Sequence, residues 1–147
     1  MAETIIQELF TANGYNVFNY GMERTVPQLL SKIKGLPSEV ATSIRCQPDF
    51  VVQCGRTGML YYVEVKFRAN GCFSIKDLHE DFPYNNAHFI IVSPIAIKTI
   101  TYAELAAGTC INADSNHHIE YSTTFNLTPK SIEEFKGYAG QFFGFIS

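Results

Sequence analysis

Asp49, Glu64 and Lys66 are the residues of this chain whose types and spacing could do chemistry. Glu64 and Lys66 stand inside "LYYVEVKFR", an apolar run that otherwise reads as a buried strand. Asp49 opens the preceding apolar run, "PDFVVQC", directly after Pro48. Successive side chains of a strand point to opposite faces, so Glu64 and Lys66 share one face while Val63, Val65 and Phe67 project from the other. A hairpin folding at "CGRTG" would carry Asp49 toward Glu64. Two carboxylates facing each other repel unless they are protonated or bridged by a cation, and Mg²⁺ takes such oxygens at about 2.0–2.1 Å while keeping waters for chemistry. A neighbouring ammonium would orient a nucleophilic water or balance charge developing on a phosphate. The combination suits metal-assisted hydrolysis of a phosphodiester. Its plain competitor is a solvent-facing Glu-x-Lys salt bridge, a common and weak feature of exposed strands.

The elements that must position these residues follow from periodicity. In "ETIIQELFTANGY", Ile5, Ile6, Leu9 and Phe10 form a helical stripe that stops at Asn13 and Gly14. "YNVFNY" reads as a first strand, and "VPQLLSKIKGLPSEV" as a short helix and loop or a flap, broken by Gly35 and Pro37. The two apolar runs around "CGRTG" predict the hairpin. "SIKDLHEDFPY" predicts a short helix opened by Ser74, with Asp77, His79, Glu80 and Asp81 on its wet side, and "AHFIIVSP" a central strand. "TYAELAAG" predicts a short helix with a Gly stop, "HHIEYSTTF" an edge strand, and "TPKSIEEFKGYAGQFFGFI" a helix beginning near Thr128 and Pro129. In that last segment Ile132, Phe135, Phe142, Phe143 and Phe145 read as core, with a homodimer contact as the minority reading. The order predicts an α/β fold: one mixed β-sheet flanked by helices.

Composition narrows the classes. A chain of 147 residues, 46% hydrophobic, is long enough for one buried core and short for two, and no linker or repeat divides it, so a single domain over 1–147 is expected. "HFIIVSPIAI" is too short and too interrupted to span a membrane, and "MAETIIQELF" has acids where a signal peptide is basic, so the expectation is a cytoplasmic protein with no membrane partner. Cys46, Cys54, Cys72 and Cys110 lack the close pairing of a zinc or redox motif and read as buried free thiols. "GRTG" lacks the Lys and Ser/Thr that complete a P-loop, and no Gly-x-Ser-x-Gly elbow is present. The net charge of −3 hides an asymmetry: residues 1–68 carry +1 and residues 69–147 carry −4. Arg24, Lys32, Lys34, Arg56 and Arg68 all fall in the first half, where they could form a phosphate-contacting face; Arg45 falls there too and reads as equally structural.

"PDFVV" and "VEVK", with fourteen residues between Asp49 and Glu64, resemble the two central motifs of the PD-(D/E)xK nuclease superfamily. "ETIIQELFTANGYNVF" looks like the opening helix and strand of the small Holliday junction resolvase-like nucleases, and the resemblance runs from about Glu3 to Val92; the chain departs from many such members in being acidic. The resemblance implies a restriction-endonuclease-like fold and a nuclease acting on DNA, branched or structured DNA included, with Mg²⁺ or Mn²⁺ as cofactor. It further implies that Asp49, Glu64 and the backbone carbonyl of Val65 hold the metal, that Lys66 acts on the attacking water or the phosphate, and that Glu3, or Glu8 in its place, is the helix acid. The alternative it leaves open is a module that kept the fold, lost turnover, and binds nucleic acid or a protein.

Overall fold

Polar backbone must be paired wherever it is buried, and here a five-stranded sheet does most of that pairing. The computed structural model describes residues 1–20 and 39–144; the segment around Gly35 and Pro37, Arg24, Lys32, Lys34 and Phe145 lie outside the described residues. The elements run α1 (Ala2–Ala12), β1 (Tyr15–Asn19), α2 (Glu39–Arg45), β2 (Phe50–Cys54), β3 (Leu60–Phe67), β4 (His88–Val92), β5 (Ile97–Thr101), α3 (Tyr102–Ala106) and α4 (Pro129–Phe143), with 3-10 turns at Ile75–Asp77 and Ile119–Tyr121. The strands lie in sequence order, β1-β2-β3-β4-β5. All neighbours are antiparallel except β3 and β4, which run parallel. The mixed α/β sheet with flanking helices is the architecture expected from the sequence.

One face of the sheet is covered by α1 and α4. Ile5, Ile6, Leu9 and Phe10 of α1 join Phe50, Val52, Val63, Val65, Ile90 and Val92 from the strands and Ile132 and Phe143 of α4 in one buried cluster. Each fully buried side chain of this kind contributes roughly 1.5–3 kcal/mol. The second face packs Phe89, Ile91 and Ile100 against Phe73, Phe82, Leu105 and Ile111, with Tyr62 and Cys46 at its margin. Alternation along β3 therefore sends Val63 and Val65 into the helical face and Glu64 and Lys66 toward the other, as the strand pattern requires.

Two local devices hold the helical face together. Gly14, at φ +84°, turns the chain out of α1, and Gly55 of the hairpin lies so close beneath it that a Cβ there would run into the Gly14 carbonyl oxygen. Asn13 then ties α1 to α4. Its side chain donates to the Leu9 carbonyl and the Ser131 hydroxyl, both at 2.8 Å, and accepts from the Thr128 N–H, also at 2.8 Å. Thr128 is in turn the N-cap of α4, its hydroxyl accepting from the Ser131 N–H at 3.3 Å.

Several expectations are corrected. "SIKDLHEDFPY" makes a single 3-10 turn, closed by a reciprocal Ser74–Asp77 cap, before Pro83 and the aromatic contacts of Phe82 and Tyr84 fix the chain as a loop. "HHIEYSTTF" is not an edge strand: it holds one bridge, Lys98↔His118, and a 3-10 turn, while "IKTIT" forms the edge strand β5 instead. α2 arises from "EVATSIR", which has no marked apolar stripe. Phe142 is 53% exposed, so it is not core. Of the cysteines only Cys54 is buried, with Cys46 half-buried and Cys72 and Cys110 exposed. Among the described residues no helix is long and apolar enough to cross a membrane.

Candidate active site

β2 and β3 are of unequal length, and the site occupies the difference. The last residue pair between them is Phe50↔Val63, beyond which β3 runs on to Phe67 with no strand on its β2 side. Backbone groups of alternate residues face alternate neighbours in such a ladder. The Val65 N–H and carbonyl therefore both turn toward the side where β2 has ended and Asp49 stands. Asp49 fills the vacancy: its Oδ2 accepts from the Val65 N–H at 2.8 Å, and its own N–H donates to Glu64 Oε1 at 3.2 Å. Its carbonyl accepts from the Tyr20 N–H at 2.9 Å, which extends the β1–β2 ladder by one step and fixes the residue in place.

The structure thus brings Asp49, Glu64, the Val65 backbone and Lys66 together. Lys66 Nζ lies 3.6 Å from Glu64 Oε2, and only 12% of the Glu64 side chain reaches solvent against 30% for Lys66. Burial, then the hydrogen bond and the negative charge of Asp49, push the Glu64 carboxyl up to about 9, against the opposing pull of Lys66. A desolvated acid held against a second acid is costly for folding alone, and such shifts concentrate at functional positions. The donor set suits a hard divalent cation: carboxylate oxygens from two residues and a backbone carbonyl, with room in the coordination sphere for water.

The remaining predicted residues are distributed unevenly. Glu3 sits in the first turn of α1, a helix packed on the other face of the sheet, and Glu8 is exposed on the same helix. Among the described residues no three His, Cys, Asp or Glu side chains gather closely enough to hold a metal ion. Arg68 does lie on the same face of the chain, one alternate position beyond Lys66. Its N–H pairs with the Val92 carbonyl at 2.9 Å, and its guanidinium donates to the Phe67 carbonyl at 2.9 Å while resting 5.3 Å from the centre of the Phe73 ring. Arg56 is placed elsewhere. It belongs to the hairpin turn at the opposite end of β2, where it meets the Asn126 carboxamide, and the length of β2, roughly 17 Å, separates it from Asp49.

Sequence reasoning missed part of the surroundings. Burial pushes the Cys46 thiol up, and the charges acting on it are Arg45, Glu64, Lys66 and Asp81. Arg45 closes α2, three residues before Pro48, with its guanidinium 3.3 Å from the Thr42 hydroxyl. The signal for Arg45 was its adjacency to the "PD" motif; Asp81 gave none, because its approach depends on a loop that tertiary packing shapes.

No protein-family model matches this chain, and no curated protein matches it. Among solved structures the chain is similar to a Holliday junction resolvase from the archaeal hyperthermophile Archaeoglobus fulgidus, at 14% identity over 91% of this chain and 97% of that one, with a TM-score of 0.46.

Proposed function

We propose that this chain is a single-domain Mg²⁺-dependent phosphodiesterase, an endonuclease acting on DNA, with Mn²⁺ able to replace Mg²⁺ and branched or structured DNA as its substrate. The observation that supports this reading is the buried Glu64 carboxyl held against Asp49 at the end of β2, beside the Lys66 ammonium. An ordinary strand would place an apolar side chain at that position, or let both charges reach water. Asp49, Glu64 and the Val65 carbonyl would hold the cation, which when bound supplies charge stabilisation at the phosphate and an acidified water. Asp49 is oriented for this by the Val65 N–H, which fixes one of its oxygens. Lys66 is held 3.6 Å from Glu64, and its ammonium is the donor that would align the attacking water or meet charge on the scissile phosphate. Arg68 would meet the neighbouring phosphate.

The test is a set of melting curves with and without Mg²⁺ or Mn²⁺, run beside cleavage of single-stranded, duplex, nicked, flapped and four-way-junction DNA with RNA as control. A ligand that binds only the folded chain raises the melting temperature. The parent should show that rise and cleave DNA, and Asp49→Asn should show neither. A second reading is favoured by the hydrogen bonds in which Asp49 and Glu64 already engage protein backbone: a nuclease-fold module that binds DNA or a protein partner without turnover. Binding of the DNA panel with no metal shift and no cleavage would select it.

A further inference from the structure

β3 begins three residues before β4 joins it. Its first β4 pair is Val63↔His88, so Leu60 to Tyr62 run with no strand on that side, and the gap opens into a cavity of about 450 Å³ lined by Tyr20, Val51, Leu60, Tyr62, Asn86 and His88. That volume falls within the range of small-molecule sites. The walls are amphipathic and flat. The Tyr20 and Tyr62 rings stand 5.7 Å apart at 42°, and the Tyr84 ring, 5.3 Å from Tyr62, braces it from behind, its hydroxyl donating to the Ser43 carbonyl at 2.8 Å. Val51 faces Tyr62 across the β2–β3 pair, Leu60 is 61% exposed, and Asn86 and His88 supply polar edges.

The position of this cavity is what selects its occupant. Tyr62 precedes Glu64 by two residues on the same strand and points to the same face, a rise of roughly 6.8 Å. One wall of the cavity is therefore within one nucleotide's reach of whatever the acids and Lys66 hold. With a phosphodiester at the acids, the adjoining group is a nucleobase, which has the planar faces and polar edge that these walls complement. A base inside a duplex presents only its groove edge and cannot enter such a cavity, whereas an unpaired or extruded base can stack on aromatic side chains.

We infer that the Tyr20–Tyr62 cavity takes an unpaired DNA base next to the scissile phosphate, making the substrate class DNA with unpaired nucleotides such as flaps and gaps. This rests on the phosphodiesterase reading of the acid pair. The test uses the full chain and an oligonucleotide carrying 2-aminopurine, either unpaired in a flap or fully paired in a duplex, with Ca²⁺ replacing Mg²⁺ so that binding is read by fluorescence. The unpaired probe should be quenched on binding and the paired probe should not. Tyr62→Leu and Leu60→Glu should lose the quenching, Tyr62→Phe should keep it, and with Mg²⁺ the first two should lower the flap-to-duplex ratio of kcat/KM by roughly 5- to 100-fold. Leu60 is exposed, so its variant reports on the cavity even if Tyr62→Leu fails to fold. Cleavage by the parent with neither quenching nor ratio dependent on Leu60 or Tyr62 would overturn the base site and leave the acid pair intact. Tyr62-dependent quenching in a protein that cleaves nothing would support the base site and overturn the hydrolytic reading instead.

Discussion

Glu64 is the residue at which folding and the proposed function pull in opposite directions. Its carboxyl ionises near 4.5 in the unfolded chain and is pushed up to about 9 in the folded one, so between those values the folded state holds the extra proton. Stability then falls as pH rises through that window, by at most about 1.4 kcal/mol per pH unit. Denaturant titrations in EDTA from pH 5 to 9 should show this decline for the parent and a flatter profile for Glu64→Gln; parallel profiles would mean that Glu64 is not desolvated as described. Lys66 makes a separate prediction, because on the proposed reading its ammonium would meet charge on the phosphate and would not ligate the metal. Lys66→Met should retain the Mg²⁺-induced rise in melting temperature while kcat drops by about 10²- to 10³-fold, the loss typical of one electrostatic donor. A normal kcat in Lys66→Met would remove the ammonium from the reaction.

Elements whose partners are close in sequence were legible, and those built by tertiary packing were not. α1, the hairpin and the start of α4 carry their own punctuation in Asn13–Gly14, "CGRTG" and Thr128–Pro129, and all three form where that punctuation puts them. The convergence of Asp49 on Glu64 was legible for the same reason, since it follows from one hairpin and the period of a strand. "IKTIT" and "HHIEYSTTF" both look like strand. The choice between them was made by β4, which pairs with the first over five residues and leaves the second a single bridge. α2 and the loop bearing Asp81 owe their shape to Tyr84, whose hydroxyl reaches back 41 residues to Ser43, a contact no local pattern encodes. The Asn13 junction gives the element-scale prediction. Thr128→Ala should cost about 1 kcal/mol, as for an ordinary N-cap. Asn13→Ala removes three hydrogen bonds, two that join α1 to α4 and one that caps α1 at the Leu9 carbonyl, and should cost about 2–3 kcal/mol in denaturant melts.

At the scale of the molecule, Arg56 lies at the hairpin turn after β2 and Arg68 just past the end of β3, and only Arg68 is on the side of the acids. Arg68→Gln should weaken DNA binding and reduce the slope of log K against log salt by about 1, the change expected for one lost phosphate contact. Arg56→Gln, altered at the hairpin turn, should leave the slope where it is. Equal effects would place the DNA path along the whole strand. The tie between α1 and α4 also sets a schedule for a nascent chain. Asn13 emerges from the ribosome 115 residues before Thr128, the partner that its carboxamide bonds. At translation rates of about 5–20 residues per second, that is a wait of roughly 6–23 s. Throughout it, the apolar stripe of Ile5, Ile6, Leu9 and Phe10 can pack against the strands but not against α4, so the cluster that buries it stays incomplete until the last helix is made.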